Sequence, residues 1–296
     1  MGEFSRREAL LTGAAVVSAF AAGTAAASAD RAATEAQPSG PVVKRGRLKQ
    51  SVSRWCYNKI PMPEFCDAVK AMGLTAMDLL NESEWPIAAD HGLITSMAYA
   101  GGGSIPDGLN NKANHDKILK GLEDGIPKAA KFKIPNVITF FGNRRGMSDA
   151  EATANCIEGL NRIKHLGEEN GVTICVELLN SKVDHKDYQG DHTAFGVEIV
   201  KAVNSPRVKL LYDAYHMQIM EGDLIRTLRT NKEWIAHVHT GGVPGRHELD
   251  DTQEVNWRAV ATALADMGFA GYMAHEFVPT RDPLTSLREA VALCDV

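Results

Sequence analysis

The residues best suited to chemistry are acids and a histidine that end four apolar segments in the second half of the chain. From Trp234 to His239 the side chains alternate with the period of a strand, and Gly241 and Pro244 then prevent that strand from continuing. His239 is therefore expected at a strand end, on the same face as His237. A histidine pair that caps the strand with ordinary hydrogen bonds is the alternative interpretation.

Three further apolar segments end on a carboxylate. Glu177, Asp213 and Glu276 close the fifth, sixth and eighth predicted strands, and His239 closes the seventh. If these strands are parallel neighbours in a barrel, the four side chains meet at one end of it. Buried carboxylates cost several kcal/mol each and repel one another, and a divalent cation removes both difficulties. Structural salt bridges of single acids with Arg or Lys are the alternative.

Such a ligand set indicates the kind of ion, and its groups could serve isomerisation or epimerisation among other reactions. Oxygen-rich ligation with one nitrogen favours manganese or magnesium over zinc, and four protein ligands leave about two of six octahedral positions for substrate oxygens. Isomerising a hydroxy-ketone, or epimerising next to a carbonyl, requires removal of a proton from carbon and stabilisation of a cis-enediolate. A metal that polarises the oxygens, with one carboxylate on each face of the intermediate, meets both requirements.

The elements that must position these residues alternate along the chain. Eight strands, each followed by a helix, predict an α/β fold of the (β/α)8 TIM-barrel type rather than an open doubly wound sheet. The predicted strands cover residues 50–54, 76–80, 93–99, 136–141, 173–177, 208–213, 234–239 and 271–276. The predicted helices cover residues 61–72, 114–132, 148–170, 223–230, 256–267 and 282–293.

Single residues refine this prediction. Ser148 is expected to begin a long helix and Gly171 to end it. Pro127 is expected to kink or shorten the helix that contains it. Residues 101–103, all glycine, indicate a mobile loop after the third strand, because a phosphate cradle would require a following helix N-terminus.

The N-terminal residues differ in character from the rest. Residues 1–29 combine Arg6 and Arg7, a weakly apolar run and a small-residue cleavage site, which predicts a signal peptide of the twin-arginine type and export to the periplasm. The run is too short for a stable membrane span. Residues 30–47 lack periodicity and are expected to form a flexible linker. Residues 48–296 then form the catalytic barrel.

Composition limits the partners. The formal net charge is −5 without basic runs, which argues against nucleic acid and leaves a small molecule as the expected partner. The five cysteines have unrelated spacings, so they predict neither a disulfide framework nor a zinc site. Whether identical chains assemble is left open.

The same motifs resemble hydroxypyruvate isomerase and its relatives among the xylose isomerase-like barrels, which include the tagatose and psicose 3-epimerases. The resemblance extends over nearly all of residues 48–296 and is strongest in the second half. The segments that carry it are Val176-Glu177, Tyr212 to Gln218, Ala236 to His239, Val243 to Glu248 and Gly271 to Glu276.

The resemblance implies a role for each matching residue. It implies that Glu177, Asp213, His239 and Glu276 hold the metal and that Glu177 and Glu276 form the acid/base pair. Hydroxypyruvate isomerases tend to carry Gln at the position of His239, whereas the epimerases carry His, so the substrate stays open.

The resemblance further implies that His216 and Arg246 bind substrate oxygens. An imidazole one turn after the strand end could hold such an oxygen, and a guanidinium in a Gly-Pro-rich loop could clamp a carboxylate or hydroxyls. The alternatives are a histidine at a helix start and a rim salt bridge from Arg246 to Glu248 or Asp250.

We therefore predict a metal-dependent isomerase or epimerase of a small sugar or keto-acid. A lyase or hydratase of an oxidised sugar could use the same groups. An apurinic endonuclease would need histidines at the ends of the third and fourth strands, where the sequence has none. A non-catalytic sugar-binding barrel would not need two opposed acids.

Overall fold

The computed structural model describes residues 40–296, and its centre is a parallel sheet of eight strands. The strands are β1 (Lys49–Val52), β2 (Ala76–Leu80), β3 (Ile94–Ala98), β4 (Asn136–Phe140), β5 (Thr173–Leu178), β6 (Val208–Asp213), β7 (Ile235–Thr240) and β8 (Tyr272–His275). Neighbours follow chain order from β2 to β8, and β8 pairs with β1. A parallel bridge between Ser53 and Asp78 links the two remaining edges. The predicted barrel class is confirmed.

Helices surround the sheet. They are α1 (Met62–Ala71), α2 (Trp85–Asp90), α3 (His115–Lys131), α4 (Asp149–Asn170), α5 (Thr193–Val203), α6 (Ala214–Met220), α7 (Leu224–Asn231), α8 (Trp257–Asp266) and α9 (Pro283–Cys294). The sequence analysis missed α2, α5 and α6. In α5 the β-branched residues and the central Gly196 have poor helix propensity, and its packing against the strands outweighs that preference.

The long helices show which local signals were reliable. The Ser148 side chain accepts the N–H of Glu151 at the start of α4, and Gly171 ends it in the left-handed region with φ 69°, as predicted. Pro127, in contrast, does not shorten α3, which continues to Lys131. The buried face of α3, including Ile126 and Ala129, holds the helix on the barrel despite the missing N–H.

The barrel strands are buried on both faces. Every residue of β2, β4 and β5 is buried, because helices cover the outside and side chains fill the inside. A charged residue in such a strand therefore needs partners inside the barrel. Asp78, in the middle of β2, is 0% exposed and is a residue of this kind.

The predicted flexible linker, residues 30–47, differs from expectation at its end. The Asp295 carboxylate accepts hydrogen bonds from the backbone N–H groups of residues 44–46 at 2.6–2.8 Å. The Val42 N–H donates to the Met72 carbonyl at 2.9 Å. This end of the segment is fixed to the barrel, because Asp295 supplies acceptors that the sequence pattern does not reveal.

The predicted signal peptide, residues 1–29, lies outside the described residues, as do residues 30–39. Export by the twin-arginine route therefore stays a prediction. Among the residues from 40 onward, no helix has the length and apolar character needed to cross a bilayer.

Candidate active site

The four residues that the sequence places at strand ends meet at one mouth of the barrel. One ligand atom from each of Glu177, Asp213, His239 and Glu276 lies within 4.8 Å of the other three, and all four residues are buried. Their convergence follows from strand register, because Asp213 pairs directly with His239 and β7 pairs in turn with β8. We call these four residues the acidic cluster.

The acidic cluster has the donor set and the geometry of a metal site. His239 Nδ1 lies 3.5 Å from Glu177 Oε1 and 3.7 Å from Asp213 Oδ2, and it touches Glu276 Oε2. Nδ1 is buried without a hydrogen bond of acceptable geometry, and Oε2 has ion-pair contacts but no such hydrogen bond either. Buried polar atoms without partners are costly. Three oxygens and one nitrogen around one point would satisfy them through a divalent cation such as manganese or magnesium.

Arg246 faces the acidic cluster rather than the rim. Its Nη2 lies 2.6 Å from Asp213 Oδ2 and 2.6 Å from Glu276 Oε2, and its Nε donates to the Glu276 carbonyl at 3.0 Å. The alternative interpretation, a rim salt bridge from Arg246 to Glu248 or Asp250, is therefore wrong. The backbone of Arg246 is in the left-handed region, with φ 57°. With all three carboxylates ionised and His239 neutral, as metal binding requires, one guanidinium leaves two negative charges, which one divalent cation would balance.

His216 lies beside Arg246 at the same mouth. Its Nε2 accepts from Arg246 Nη1 at 2.6 Å, and its Nδ1 contacts the Asn180 amide nitrogen at 2.6 Å. Burial lowers the pKa of His216 to about 3, so the imidazole is neutral near pH 7. His216 lies in the first turn of α6, as the alternative interpretation expects, but its ring is also part of the polar network of the site.

The two glutamates of the cluster have different surroundings. Burial raises the pKa of Glu177 to about 7. Burial would raise the pKa of Glu276 too, but Arg246 and His239 beside it hold that pKa below its ordinary value. For Asp213, the Arg246 charge likewise outweighs burial and lowers the pKa. Carboxyl groups with separated proton affinities are typical of acid/base sites.

A cavity of about 420 Å³ opens above the acidic cluster. Trp55, Tyr99 and Phe140 form aromatic parts of its wall, while Glu177 and Glu276 lie in its floor. The indole N–H of Trp55 donates to Glu276 Oε1 at 2.5 Å. Our sequence analysis missed these aromatic residues. Trp55 follows β1, so the rule that functional residues lie at strand ends in a barrel applies to it as well.

A second polar group lies under the acidic cluster and was also missed. Asp78 Oδ2 is 2.9 Å from His239 Nε2, and Asp78 Oδ1 is 3.0 Å from His237 Nε2. The two histidines do share one face of β7, as predicted, and both turn into the barrel. The sequence feature that could have indicated this group is Asp78 itself, an aspartate inside an otherwise apolar strand.

Comparison with known proteins agrees with this architecture. The chain is 25% identical over 260 residues to a putative hydroxypyruvate isomerase of Xenopus laevis, a match that covers 81% of this chain and 93% of that protein. It is 32% identical over 124 residues to a D-psicose 3-epimerase of Ruminiclostridium cellulolyticum, covering 40% of this chain and 39% of that one.

A solved structure shows the same fold. An AP endonuclease of family 2 from Brucella melitensis superimposes with a TM-score of 0.73 at 21% identity, over 81% of this chain and 97% of that one. The family model described as xylose isomerase-like TIM barrel matches residues 66–295. With eight parallel strands around the acidic cluster and a match over most of its length, this chain belongs to the xylose isomerase-like TIM barrel family.

Proposed function

We propose that this protein is a divalent-metal-dependent isomerase or epimerase that moves a proton on a small, unphosphorylated sugar or keto-acid. The observation that carries the proposal is the placement of two buried glutamates, Glu177 and Glu276, in one ligand cluster on the floor of a cavity. The isomerase and epimerase names of the relatives support the same reaction class.

The chain's own groups divide the work. Glu177 has no Lys or Arg within ion-pair distance among the described residues, so its carboxylate is available to take a proton from carbon. Glu276 is held by Arg246 and by the Trp55 indole, which fixes its orientation. The proton goes back to carbon either from Glu177, which has just accepted it, or from Glu276 after it has taken one from solvent. A divalent cation bound by the acidic cluster would polarise the carbonyl and hydroxyl oxygens of the substrate. His216 and Arg246 would orient those oxygens.

The charge of the cavity favours an unphosphorylated substrate. Among the described residues, Arg246 is the one Lys or Arg that lines the cavity, and its guanidinium already pairs with two carboxylates. A phosphate group would need donors that this cavity wall does not supply. The aromatic side chains, including Trp55 and Tyr99, suit the apolar face of a sugar.

A nucleic-acid substrate has little support. The structural likeness to the Brucella protein lies below 25% identity and shows the fold alone. The ends of β3 and β4 carry Tyr99 and Phe141, where additional metal-binding histidines would be needed. The overall charge of −5 is unfavourable for binding a polyanion.

A substrate panel tests the proposal. Protein treated with a chelator and reloaded with Mn²⁺ is incubated with free ketoses, keto-acids, 3-oxo-sugars and sugar phosphates, and the products are separated by chromatography. We expect an isomer or epimer of an unphosphorylated compound, formed only with metal. Full activity of the chelated protein, an unsaturated product, or binding without turnover across the panel would contradict it.

A further inference from the structure

Asp78 reaches the acidic cluster from below, through the far side of the His239 ring. Its Oδ2 lies 2.9 Å from His239 Nε2, whereas Nδ1 of the same ring faces the three acids. Asp78, His237 and His239 are all 0% exposed. The Asp78 carboxylate is therefore the direct hydrogen-bond partner of the buried His239 Nε2.

The Asp78 carboxylate is itself held in place. Ser96 Oγ donates to Asp78 Oδ1 at 2.6 Å, and Ser53 Oγ lies 3.3 Å from Oδ2. The other imidazole, His237, lies 3.0 Å from Oδ1. Each oxygen thus has its own set of partners, and Oδ2 is the one directed at His239.

This arrangement determines which nitrogen of His239 can bind a cation. A neutral imidazole carries one ring proton, and a nitrogen that binds metal must be unprotonated. An acceptor at Nε2 holds the proton there and leaves the Nδ1 lone pair for the acidic cluster. A carboxylate acceptor also increases the basicity of the ligating nitrogen.

We propose that Asp78 is a positioning residue, which fixes the tautomer and ring orientation of His239 so that Nδ1 can bind the divalent cation. The inference rests on the proposed metal site at Glu177, Asp213, His239 and Glu276. It assigns a function to a residue of β2, whereas the proposed ligands come from the fifth to eighth strands. The barrel interior thereby supports the site from the strand opposite β6.

A metal ion held by Asp78, His237 and His239 themselves is the competing interpretation, since their ligand atoms also lie close together. The geometry favours hydrogen bonding at His239, because its Nε2 meets Asp78 Oδ2 at 2.9 Å with hydrogen-bond geometry, whereas His237 Nε2 lies 3.0 Å from Oδ1 as an ion-pair contact. The two interpretations differ in the number of ions bound per chain, which the experiment below measures.

Titration of metal-free protein with Mn²⁺, followed by calorimetry, tests the assignment. In Asp78→Asn we expect Mn²⁺ affinity to fall by roughly 10- to 100-fold, as for other partners of metal-binding histidines. His237→Gln is the matched control, because it removes the contact to the other oxygen at the same depth and leaves the Asp78–His239 contact. We expect its Mn²⁺ affinity to stay within about threefold of wild type, although both variants lose stability when metal-free.

The outcomes separate this inference from the metal site itself. Asp213→Asn should greatly weaken Mn²⁺ binding; if it does not, the acidic cluster is not the metal site. If Asp213→Asn weakens binding while Asp78→Asn stays within threefold of wild type, the positioning role is overturned. Two ions per chain in wild type and one in His237→Gln would also overturn it.

A second variant keeps the test available if Asp78→Asn does not fold. Ser96→Ala removes the 2.6 Å hydrogen bond that orients the carboxylate and retains the charge. We expect Mn²⁺ affinity to fall by roughly threefold or more, with one ion still bound per chain. Unchanged affinity in a folded Ser96→Ala protein would contradict the role of Asp78.

Discussion

At the scale of residues, the site is defined by two glutamates in unlike surroundings. Arg246 and Trp55 hold Glu276, whereas Glu177 contacts His239 and faces the cavity. Unequal environments let two chemically identical groups perform different proton transfers. The neutral His216 next to them accepts a hydrogen bond from Arg246 Nη1 without adding charge.

Replacing each glutamate by glutamine tests this division. Glutamine preserves shape and an oxygen ligand but cannot accept the proton, so we expect kcat to fall by about 10²- to 10⁴-fold in both Glu177→Gln and Glu276→Gln. Steady-state kinetics on the substrate found in the panel measures the effect, and Mn²⁺ titration checks that metal still binds. Near-normal turnover in both variants would refute the acid/base assignment.

At the scale of elements, Glu248 ties the loop after β7 to the segment after β8. Its carboxylate accepts from Thr280 N–H at 2.8 Å, from Arg281 N–H at 3.2 Å and from Ser286 Oγ at 2.9 Å. Because Arg246 lies two residues before it in the same loop, Glu248 helps to hold that loop against the barrel mouth.

The protonation of Glu248 should therefore affect stability. Burial would raise its pKa, but hydrogen bonds from its own backbone N–H and that of Thr280 outweigh burial and lower the pKa from 4.5 to about 2. A depressed pKa stabilises the fold above the unfolded-state value, and this contribution is lost as the pH falls from about 4.5 to about 2.

Denaturant unfolding of wild type and Glu248→Gln at about pH 6 and about pH 3 measures this contribution. We expect the variant to be less stable by about 1–3 kcal/mol at the higher pH and to lose less stability on acidification. Parallel losses in the two proteins would show that the Glu248 charge contributes nothing.

Close packing of the loop after β3 against α3 and β4 provides another prediction. A Cβ on Gly125 would lie 2.3 Å from the Ala100 carbonyl oxygen, and one on Gly102 would lie 2.1 Å from the Ile138 oxygen. The glycines at 101–103 therefore have a packing role, in addition to the conformational freedom that the sequence indicates.

Gly125→Ala should destabilise the protein although alanine is the better helix former. The clash costs roughly 1–3 kcal/mol, which exceeds a propensity gain of up to about 1 kcal/mol. Glu123→Ala, at an exposed position of the same helix, is the control and should change stability by less than about 0.5 kcal/mol. A Gly125→Ala protein that is more stable than wild type would show that the loop around Ala100 can shift to accommodate the added methyl group, and would contradict this prediction.

The sequence predicted the barrel and the cluster because both depend on local patterns. The strands that carry Glu177, Asp213 and His239 can be predicted from the sequence, because in each of them an apolar run stops at a polar residue. The partners of Arg246 and the contact from Asp78 to His239 were not predictable, because they depend on a loop conformation and on barrel closure between distant strands. The helix α5 was missed because packing outweighs its propensity.

At the scale of the whole molecule, metal binding should stabilise the barrel. The acidic cluster joins β5, β6, β7 and the segment after β8, so an ion bound there exists only in the folded chain. At Mn²⁺ concentrations about 100 times the Kd, mass action adds about 2.7 kcal/mol. For a domain of this size we expect the Tm to rise by about 5–10 °C.

Thermal unfolding with Mn²⁺ and with chelator measures this shift. Asp213→Asn is the control, in which the two conditions should give nearly the same Tm. An equal shift in wild type and Asp213→Asn would place the stabilising ion elsewhere.

Incorporation of solvent deuterium tests the central claim most directly. Wild-type protein loaded with Mn²⁺ is incubated with its substrate in D₂O, and the substrate and product are analysed by NMR and mass spectrometry. Proton transfer through Glu177 and Glu276 predicts deuterium at one carbon next to the carbonyl, and loss of that incorporation when both glutamates are changed to glutamine. Product formed over many turnovers without deuterium in either compound would contradict the account.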